Sequence, residues 1–329
     1  MRFGAMARRR FFLSILGAVA LMGVVAPRAL AAEKVTIGTV GQASANFWPA
    51  LIALDKGYFT DEGIDAEVTY VQSSAALTQQ ITAGSLDLCM STGLVDPIRA
   101  AAMGAPIAVL RVEAQAPPYA LLSKPEIKTI AELKGKLISL GGAKDITRIY
   151  VERMLEPNGV KPGEFDMVFA GATAARAQAL FAGAVDAAIL LPPFNFQAVA
   201  RGFNQLGLTI DYIKDLPFSG IVVNVGWANA HKDLVQKLLR AHARGLAFFE
   251  DANNRAESIR ILQAASGLKQ EDVEKGYDFQ RNGHYFDTSL KVPLSKLKAL
   301  AQAMASLGDL PGALDVSKVV LPGVTETSD

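Results

Sequence analysis

Short apolar runs alternate with segments of helical period along most of the chain. Runs of apolar residues bounded by glycine or polar clusters predict strands. Segments that open on Ser, Asn, Asp or Thr and end near a glycine predict helices. In chain order, the predicted strands are residues 35–40, 66–71, 86–90, 106–112 and 137–140, and the predicted helices open at Asn46, Ser74, Asp96 and Asp145.

This alternation predicts the α/β class, in which a mainly parallel sheet is covered by helices. A chain of 329 residues is long enough for two domains of roughly 150 residues each. The segment "ITAGSLDL" at residues 81–88 recurs as "LFAGAVDA" at residues 180–187, and the matching alanines, Ala83 and Ala182, are 99 positions apart (182 − 83). The spacing favours two similar lobes. The alternative is a chance similarity between two short α/β units that share turn chemistry.

The pattern changes after Pro217. "GIVVNVGW", residues 220–227, is a candidate strand, and amphipathic helices are predicted over residues 230–253, 256–265 and 293–307. Their apolar positions at helical spacing indicate structural packing. We expect these helices to rejoin the first lobe.

The N-terminus has the pattern of an export signal. Four arginines, Arg2, Arg8, Arg9 and Arg10, precede an apolar run over residues 11–26, and Ala29-Leu30-Ala31 supplies the small residues of a cleavage site. Cleavage before Ala32 would release a soluble periplasmic protein. A retained anchor is the weaker alternative, because a membrane span needs about 20 apolar residues. The stretch from Arg9 to Leu13 also resembles a twin-arginine signal, so the Sec and twin-arginine routes both stay open.

Charge and cysteine content narrow the function classes. Lys and Arg total 33 against 32 Asp and Glu, a net charge of +1, so nucleic acid is not an expected partner. Cys89 is the only cysteine. It allows no intrachain disulfide, and it lies too far from the signal to carry a lipid anchor. A small core residue is the expected role of Cys89, rather than a nucleophile.

Motifs for nucleotide binding, catalysis and metal binding are not found. The stretch "LISLGGAKDITRIYVERML" combines a strand, two glycines and a helix start, but it lacks the second glycine and the hydroxyl of a phosphate-binding loop. An acidic Asp145 would also repel phosphate unless its carboxylate turned back to the helix amides. G-x-S-x-G does not occur. His231 and His242 would lie ~16 Å apart on one helix. No catalytic residue, cofactor or metal ligand is therefore predicted.

The remaining candidates are loops at the carboxyl ends of strands, where open α/β sheets place their ligands. Small residues and helix starts there would bring backbone amides to an anionic or strongly polar ligand. Ordinary helix capping by Asn46, Ser74 and Thr173 is the alternative. Phe47 and Trp48 either form an aromatic wall against the ligand or pack in the core. Arg148 either contacts an anion or lies on a solvated face of its helix. The candidate ligand-binding residues are Ser44, Asn46, Phe47, Trp48, Ser73, Ser74, Ser91, Thr92, Gly93, Lys144, Asp145, Ile146, Thr147, Arg148, Ala172, Thr173, Pro192 and Phe194.

Several longer segments carry a resemblance that covers nearly the whole mature region. They are "NFWPALIALDKGYFTDEGIDAEVTYVQ", "ITAGSLDLCMSTG", "IKTIAELKGKLISLGGAKDIT", "LFAGAVDAAILLPP" and "VVNVGWANAHKDLVQKLLRAHARGLAFF". With these segments the chain resembles the periplasmic solute-binding proteins of ABC importers, in the group that serves nitrate, sulfonates, taurine and thiamine-precursor pyrimidines.

The resemblance implies a two-lobed type II periplasmic-binding-protein fold, in which each lobe is a mixed, mainly parallel sheet flanked by helices and two hinge strands join the lobes. It assigns residues 32–121 and 220–329 to lobe 1 and residues 122–219 to lobe 2, with crossings near residues 119–124 and 217–223. A monomer would trap a small-molecule ligand between its lobes and dock on an ABC permease at the inner membrane. The expected ligand is a small organic anion, such as a sulfonate, a carboxylate or a nitrate-like ion, with an aromatic part if Phe47, Trp48 and Phe194 face it.

Two other functions use the same cleft. An exported enzyme or a thiamine-pyrimidine-related protein would act on its ligand there, although one Cys speaks against the cysteine-rich stretch of the pyrimidine-synthesising relatives. A ligand sensor would dock on a membrane receptor instead of a permease.

Overall fold

The computed structural model describes residues 32–42, 44–310 and 312–329. The predicted export signal, residues 1–31 with the cleavage site before Ala32, lies outside these residues and stays a prediction. None of the helices within the described ranges is long and apolar enough to cross a membrane.

Two five-stranded sheets form the framework of the described part of the chain. The strands, in chain order, are β1 (Glu33–Val40), β2 (Ile64–Val71), β3 (Leu88–Gly93), β4 (Ile107–Ala114), β5 (Ala120–Ser123), β6 (Leu137–Leu140), β7 (Asp166–Phe169), β8 (Ala187–Leu190), β9 (Asn204–Leu208) and β10 (Ser219–Asn224), with a short pair formed by β11 (Val292–Pro293) and β12 (Thr327–Ser328).

Helices cover the faces of both sheets and make up most of the C-terminal third. They are α1 (Trp48–Asp55), α2 (Tyr58–Asp61), α3 (Ser74–Thr82), α4 (Val95–Ala102), α5 (Ile146–Leu155), α6 (Thr173–Phe181), α7 (Phe194–Ala200), α8 (Thr209–Tyr212), α9 (Val225–Ala230), α10 (Lys232–Glu250), α11 (Arg255–Ser266), α12 (Gln270–Asn282) and α13 (Leu294–Ser306).

Both sheets are built on the same plan. The first has the order β2-β1-β3-β10-β4 and the second the order β7-β6-β8-β5-β9. In each sheet the first three strands are parallel, as expected for strands joined through helices. The fourth strand, β10 or β5, runs antiparallel to both of its neighbours. This strand enters directly from the other lobe, so no crossover helix forces it to be parallel.

The chain passes between the sheets twice. It leaves the first sheet after Ala114 and enters the second at Ala120, then leaves the second after Leu208 and returns at Ser219. The two changes of sheet therefore fall in the segments that precede β5 and β10. The assignment of residues 32–121 and 220–329 to one lobe and 122–219 to the other stays a prediction. Here "first lobe" and "second lobe" denote each sheet with the helices packed on it.

The internal repeat corresponds to equivalent structure in the two lobes. Helices α3 and α6 are both nine residues long, and their first residues are 99 positions apart (173 − 74). Each "AGxxD" segment supplies a carboxylate that accepts a backbone N–H from the neighbouring strand. Asp87 accepts from Thr36 at 2.8 Å, and Asp186 accepts from Leu137 at 3.0 Å. The aspartate therefore ties each helix-to-strand turn to an inner strand of the sheet, β1 or β6.

The C-terminal helices complete the first lobe. Helix α10 packs on α1, and α11 packs on both of them. Their apolar faces share one core with Trp48, Phe249 and Tyr277, all of which are almost fully buried. Cys89 is also fully buried in apolar surroundings, and burial raises the pKa of its thiol, which keeps it protonated.

Two local predictions are wrong, and one helix is missing from the predictions. Asn46 does not cap a helix, because it lies inside a short 3-10 turn, Ala45–Phe47, that precedes α1. "GIVVNVGW" is a strand only as far as Asn224, whose side chain accepts from the Trp227 N–H and so starts α9. Helix α12 was not predicted, because its 13 residues are mostly charged or polar and only a narrow apolar stripe is buried.

Candidate functional site

A small cavity lies where the carboxyl ends of strands from both sheets face each other. Its volume is ≈ 50 Å³. Open α/β sheets place their ligands in the crevice outside the carboxyl ends of their strands. The predicted site residues that line it are Ser44, Asn46, Ser73, Ser74, Ser91 and Gly93 from the first lobe and Asp145, Ile146, Ala172 and Thr173 from the second.

Phe47 and Trp48 do not form the predicted aromatic wall. Both are fully buried in the core of the first lobe. The Trp48 ring lies against α12 at Gly276, so close that a Cβ atom on Gly276 would stand 2.6 Å from it. The unpredicted α12 thus covers Trp48 and makes it part of the core.

The other predicted residues that do not line the cavity are held elsewhere. Thr92 is fully buried between two lining residues, in keeping with alternation along a strand. Thr147 is buried and bonded to Asp145. Lys144 extends toward Asp309 at 3.8 Å, and Arg148 pairs with Glu152 on its own helix at 2.8 Å. Pro192 and Phe194 are buried, and Phe194 belongs to the core of the second lobe.

Sequence patterns missed several lining residues: Val40, Tyr119, Gly141, Gly171, Arg176, Leu191 and Phe218. Tyr119 and Phe218 come from the two segments that connect the lobes, and their rings meet edge to face at 5.1 Å. They supply the aromatic surface of the cavity. Tyr119 immediately precedes β5 and Phe218 immediately precedes β10, the strands on which the chain enters a new sheet. An aromatic residue directly before each of these strands was a signal present in the sequence.

Arg176 is the only arginine or lysine on the cavity wall within the described ranges. It lies one turn into α6, and only 3% of its surface is exposed. Nε donates to the Ile189 carbonyl at 2.8 Å, one terminal nitrogen donates to the Gly171 carbonyl, and the other donates to the Thr173 hydroxyl at 2.8 Å. These partners use three of its five N–H groups and leave two. The guanidinium carbon also lies 5.8 Å from the centre of the Tyr119 ring.

Two of the helix-start residues around the cavity, Ser74 and Thr173, do not cap their helices. Ser74 donates to the Asp96 carboxylate instead of capping α3, whose N-cap is Ser73. Thr173 accepts from Arg176, and α6 has no side-chain cap. The capping alternative therefore fails at both positions, and the first amides of α6 stay available at the cavity wall.

Asp145 adds a negative charge to the wall, but its carboxylate is turned back toward its own helix. Oδ1 accepts from the Thr147 backbone at 2.9 Å and from the Thr147 hydroxyl at 2.5 Å. The Ser74 hydroxyl lies 3.4 Å from Oδ2. The bonds from Thr147 partly compensate the negative charge of Asp145. The contact with Ser74 links the two lobes.

Asp96 lies directly behind Ser74. Burial raises the pKa of this carboxyl group, while hydrogen bonds from Ser74 and the charge of Arg99 oppose that shift. Arg99 pairs with Asp96 at 2.6 Å and also donates to the Lys144 carbonyl of the second lobe at 2.5 Å. The Arg99 side chain therefore fastens the two lobes beside the cavity.

Asn46 is poised to bond a ligand. Its residue is 4% exposed, and Oδ1 has no hydrogen-bond partner among the described residues. A buried amide oxygen without a partner costs free energy. Only a ligand that carries a donor group beside its anionic group would remove that cost.

Comparisons with known proteins agree with this architecture. A family model described as "NMT1/THI5 like" matches residues 44–256. A search of curated proteins gives no significant match.

Solved structures share the fold. The alkanesulfonate-binding protein SsuA from Xanthomonas axonopodis pv. citri, bound to MOPS, superposes with a TM-score of 0.73 at 19% identity, over 87% of this chain and 97% of that one. The periplasmic aliphatic sulphonate binding protein SsuA from Escherichia coli gives 0.71 at 20% identity, over 90% and 94%. The periplasmic nitrate-binding protein NrtA from Synechocystis PCC 6803 gives 0.73 at 18% identity, over 87% and 86%. The predicted two-lobed fold is confirmed.

Proposed function

This chain belongs to the NMT1/THI5-like family, and from that premise we propose that it is the solute-binding component of an ABC importer. It captures a small anion between its lobes and delivers it unchanged to a permease. The observation that carries the proposal is the buried Arg176, which keeps two N–H groups for a ligand on the wall of an interlobe cavity.

The charge distribution around the cavity supports an anionic ligand. A guanidinium group presents its donors in a planar fork that fits nitrate, sulfonate or carboxylate oxygens. The uncapped start of α6 adds backbone amides and the positive end of its dipole. Asp145 opposes this field, but its carboxylate already accepts two hydrogen bonds from Thr147. A single negative charge on the ligand fits this balance better than two.

The volume of the cavity limits the size of the ligand. About 50 Å³ has room for roughly three to five water molecules. Nitrate, methanesulfonate or a small carboxylate has a comparable number of heavy atoms. An aromatic ligand such as benzoate would need a wider separation of the lobes, because it exceeds this volume.

Ligand contacts on both lobes would couple binding to closure. Asn46, Ser74 and Ser91 lie on one wall and Thr173 and Arg176 on the other. A ligand shifts a conformational equilibrium only by its difference in affinity for the two states. An anion that bonds both walls stabilises the closed form, which is the form that a permease would recognise.

The solved structures of sulfonate- and nitrate-binding proteins support this choice of ligand class. Export by the predicted signal would bring the mature chain, from Ala32 onward, to the periplasm. There it would act as a monomer on a permease of the inner membrane.

A thermal-shift and calorimetry screen of the mature chain tests the proposal. The panel contains nitrate, methanesulfonate, ethanesulfonate, taurine, acetate, benzoate and a hydroxymethylpyrimidine. A ligand that binds only the folded state stabilises it by about 2.7 kcal/mol at 100 times its Kd. We expect a shift with at least one small anion. If every compound leaves the midpoint unchanged, the anion-binding function is refuted.

Two further measurements separate the competing functions. Mass spectrometry of the released ligand distinguishes binding from catalysis, because an enzyme would return a changed compound. Uptake of the same anion by cells with the gene deleted and restored tests delivery to a permease. Unchanged uptake with retained tight binding would instead favour a sensor.

A further inference from the structure

Ser91 on the cavity wall has a backbone conformation that L-amino acids rarely adopt. Its φ is +60°, in the left-handed region, and the residue is 6% exposed. A residue with a Cβ atom is strained there and keeps the conformation only if its surroundings hold it. The residues behind Ser91 should therefore include the group that holds it.

That group is Glu113 on β4, which is 2% exposed. The Ser91 N–H donates to Glu113 Oε2 at 2.5 Å. The Ser91 hydroxyl donates to the Asn46 carbonyl at 2.9 Å and lies 3.3 Å from Glu113 Oε1. One buried carboxylate thus fixes Ser91, and through Ser91 it fixes Asn46.

His242 on α10 fixes the carboxylate in turn. Its Nε2 lies 2.9 Å from Glu113 Oε1, and its Nδ1 lies 3.3 Å from a terminal nitrogen of Arg111. A guanidinium group has only donors, so Nδ1 must accept. The proton of the ring is then on Nε2, where it is donated to Glu113, and His242 is neutral.

The three side chains form a charge-balanced unit. Burial lowers the pKa of Arg111 to about 10, which leaves it charged at neutral pH. Its positive charge faces the negative charge of Glu113 through the neutral imidazole ring. Buried charges are tolerated when paired and hydrogen-bonded in this way. None of the three lines the cavity, so each acts on a ligand only through Ser91 and Asn46.

We propose that Glu113, oriented by His242 and Arg111, is the positioning residue of the anion site. It holds Ser91 in the left-handed conformation and, through the Ser91 hydroxyl, fixes the Asn46 backbone, so that it sets the shape of this wall of the cavity. Ligand affinity then depends on a carboxylate that the ligand never touches. This inference rests on the proposed anion-binding function.

The isosteric substitution Glu113→Gln tests it. An amide has one acceptor oxygen where the carboxylate has two, so its NH2 group must face either the Ser91 N–H or the His242 Nε2–H. We expect methanesulfonate and nitrate, measured by calorimetry, to bind about tenfold more weakly. Glu152→Gln is the matched control, because Glu152 is also a buried glutamate, 7% exposed, that pairs with Arg148 and does not line the cavity.

A double-mutant cycle separates positioning from general stability. Glycine adopts φ +60° without strain, so Ser91→Gly removes the need for restraint. Glu113→Gln should therefore cost less affinity in the Ser91→Gly background than in the wild type. If Glu113→Gln does not fold, Glu113→Asp, which keeps the charge but withdraws it from Ser91, replaces it and should bind methanesulfonate more weakly than the wild type.

Nuclear magnetic resonance of the unliganded protein gives a readout that needs no ligand. We expect the side-chain nitrogens of His242 to show the neutral Nε2–H form, and Glu113→Gln to move the Ser91 amide resonance. An Nδ1–H ring, or an unmoved Ser91 amide, would overturn the inference.

The binding results decide it independently. Equal affinity in Glu113→Gln and wild type, or an equal loss in Glu152→Gln, would refute a positioning role. If the wild type binds no anion of the panel, the proposed function fails instead, and the resonance data alone decide whether Glu113 holds Ser91.

Discussion

Gly171 of the second lobe lies directly against the Gln72 carbonyl of the first. A Cβ atom on Gly171 would stand 2.6 Å from that oxygen, well inside van der Waals contact. The φ of Gly171 is +71°, and its own carbonyl accepts a hydrogen bond from Arg176. The glycine therefore serves two purposes: it lets the lobes meet, and it helps to hold the cavity arginine.

Gly171→Ala should prevent the lobes from closing fully. The methyl group would overlap the Gln72 backbone, which has no flexible end that could move away. We expect the affinity for the ligand to fall at least about tenfold, a loss of about 1.4 kcal/mol, in calorimetry with the best anion of the panel.

Gly183→Ala is the matched control for this substitution. Gly183 has a φ of +72°, but no atom of the described residues lies within 4 Å of its Cβ position. Both variants carry the same left-handed strain, about 1–2 kcal/mol. Lower stability with unchanged affinity is expected for Gly183→Ala. An equal loss of affinity in both variants would mean that strain, rather than the contact with Gln72, limits binding.

Arg176→Lys should abolish most of the anion binding while keeping the charge. Lysine has no planar fork, so the bonds to Ile189 and Thr173 and the donors left for the ligand are not reproduced. We expect an affinity loss of about 2 kcal/mol, within the range for hydrogen bonds of charged groups. Arg240→Lys, at an exposed ion pair with Glu62, should retain wild-type affinity. Tight binding by Arg176→Lys would exclude Arg176 as the anion ligand.

Ser74→Ala and Thr173→Ala should reduce the ligand-induced thermal shift more than they lower the unliganded midpoint. Their hydroxyl groups bond Asp96 and Arg176 rather than cap a helix. Thr82→Ala, which removes a hydroxyl bond to Thr78 on the same α3, should change the midpoint alone. Equal losses with and without ligand would assign Ser74 and Thr173 to structure only.

Asp186 should make the second lobe sensitive to acid. The Leu137 backbone N–H, followed by Lys124, holds the pKa of this carboxyl group below its ordinary value of 3.8. Since the folded pKa is depressed, the stabilisation is complete above 3.8 and is lost as the pH falls through the lower folded value.

Asp186→Asn tests this linkage. We expect it to lower the free energy of unfolding by about 1–2 kcal/mol at neutral pH and to match the wild type in strong acid, as measured by urea denaturation across that range. The exposed Asp166→Asn should follow the wild type throughout. A pH-independent difference would trace the effect to packing rather than to the charge.

Local signals predicted much of the site because they depend on neighbours in the sequence. Asp145 was expected at the start of α5, and its side chain does cap that helix. The loops that contain Ser74, Ser91 and Thr173 were expected at strand ends, and they line the cavity. Arg176 was not among the predicted ligand-binding residues, because an arginine within a helix normally faces solvent. Only the folded position of α6 beside Tyr119 and Gly171 buries it.

The sequence by itself determined the α/β class, the paired lobes and the family, since apolar periodicity, turn glycines and a 99-residue repeat are properties of the chain order. Tertiary structure alone decided which polar groups reach the cavity. Trp48 became core because α12 packs over it, and Ser91 became a cavity residue because Glu113 and His242, distant in sequence, hold its backbone. Such contacts depend on how helices and sheets pack in three dimensions, and no local pattern encodes that packing.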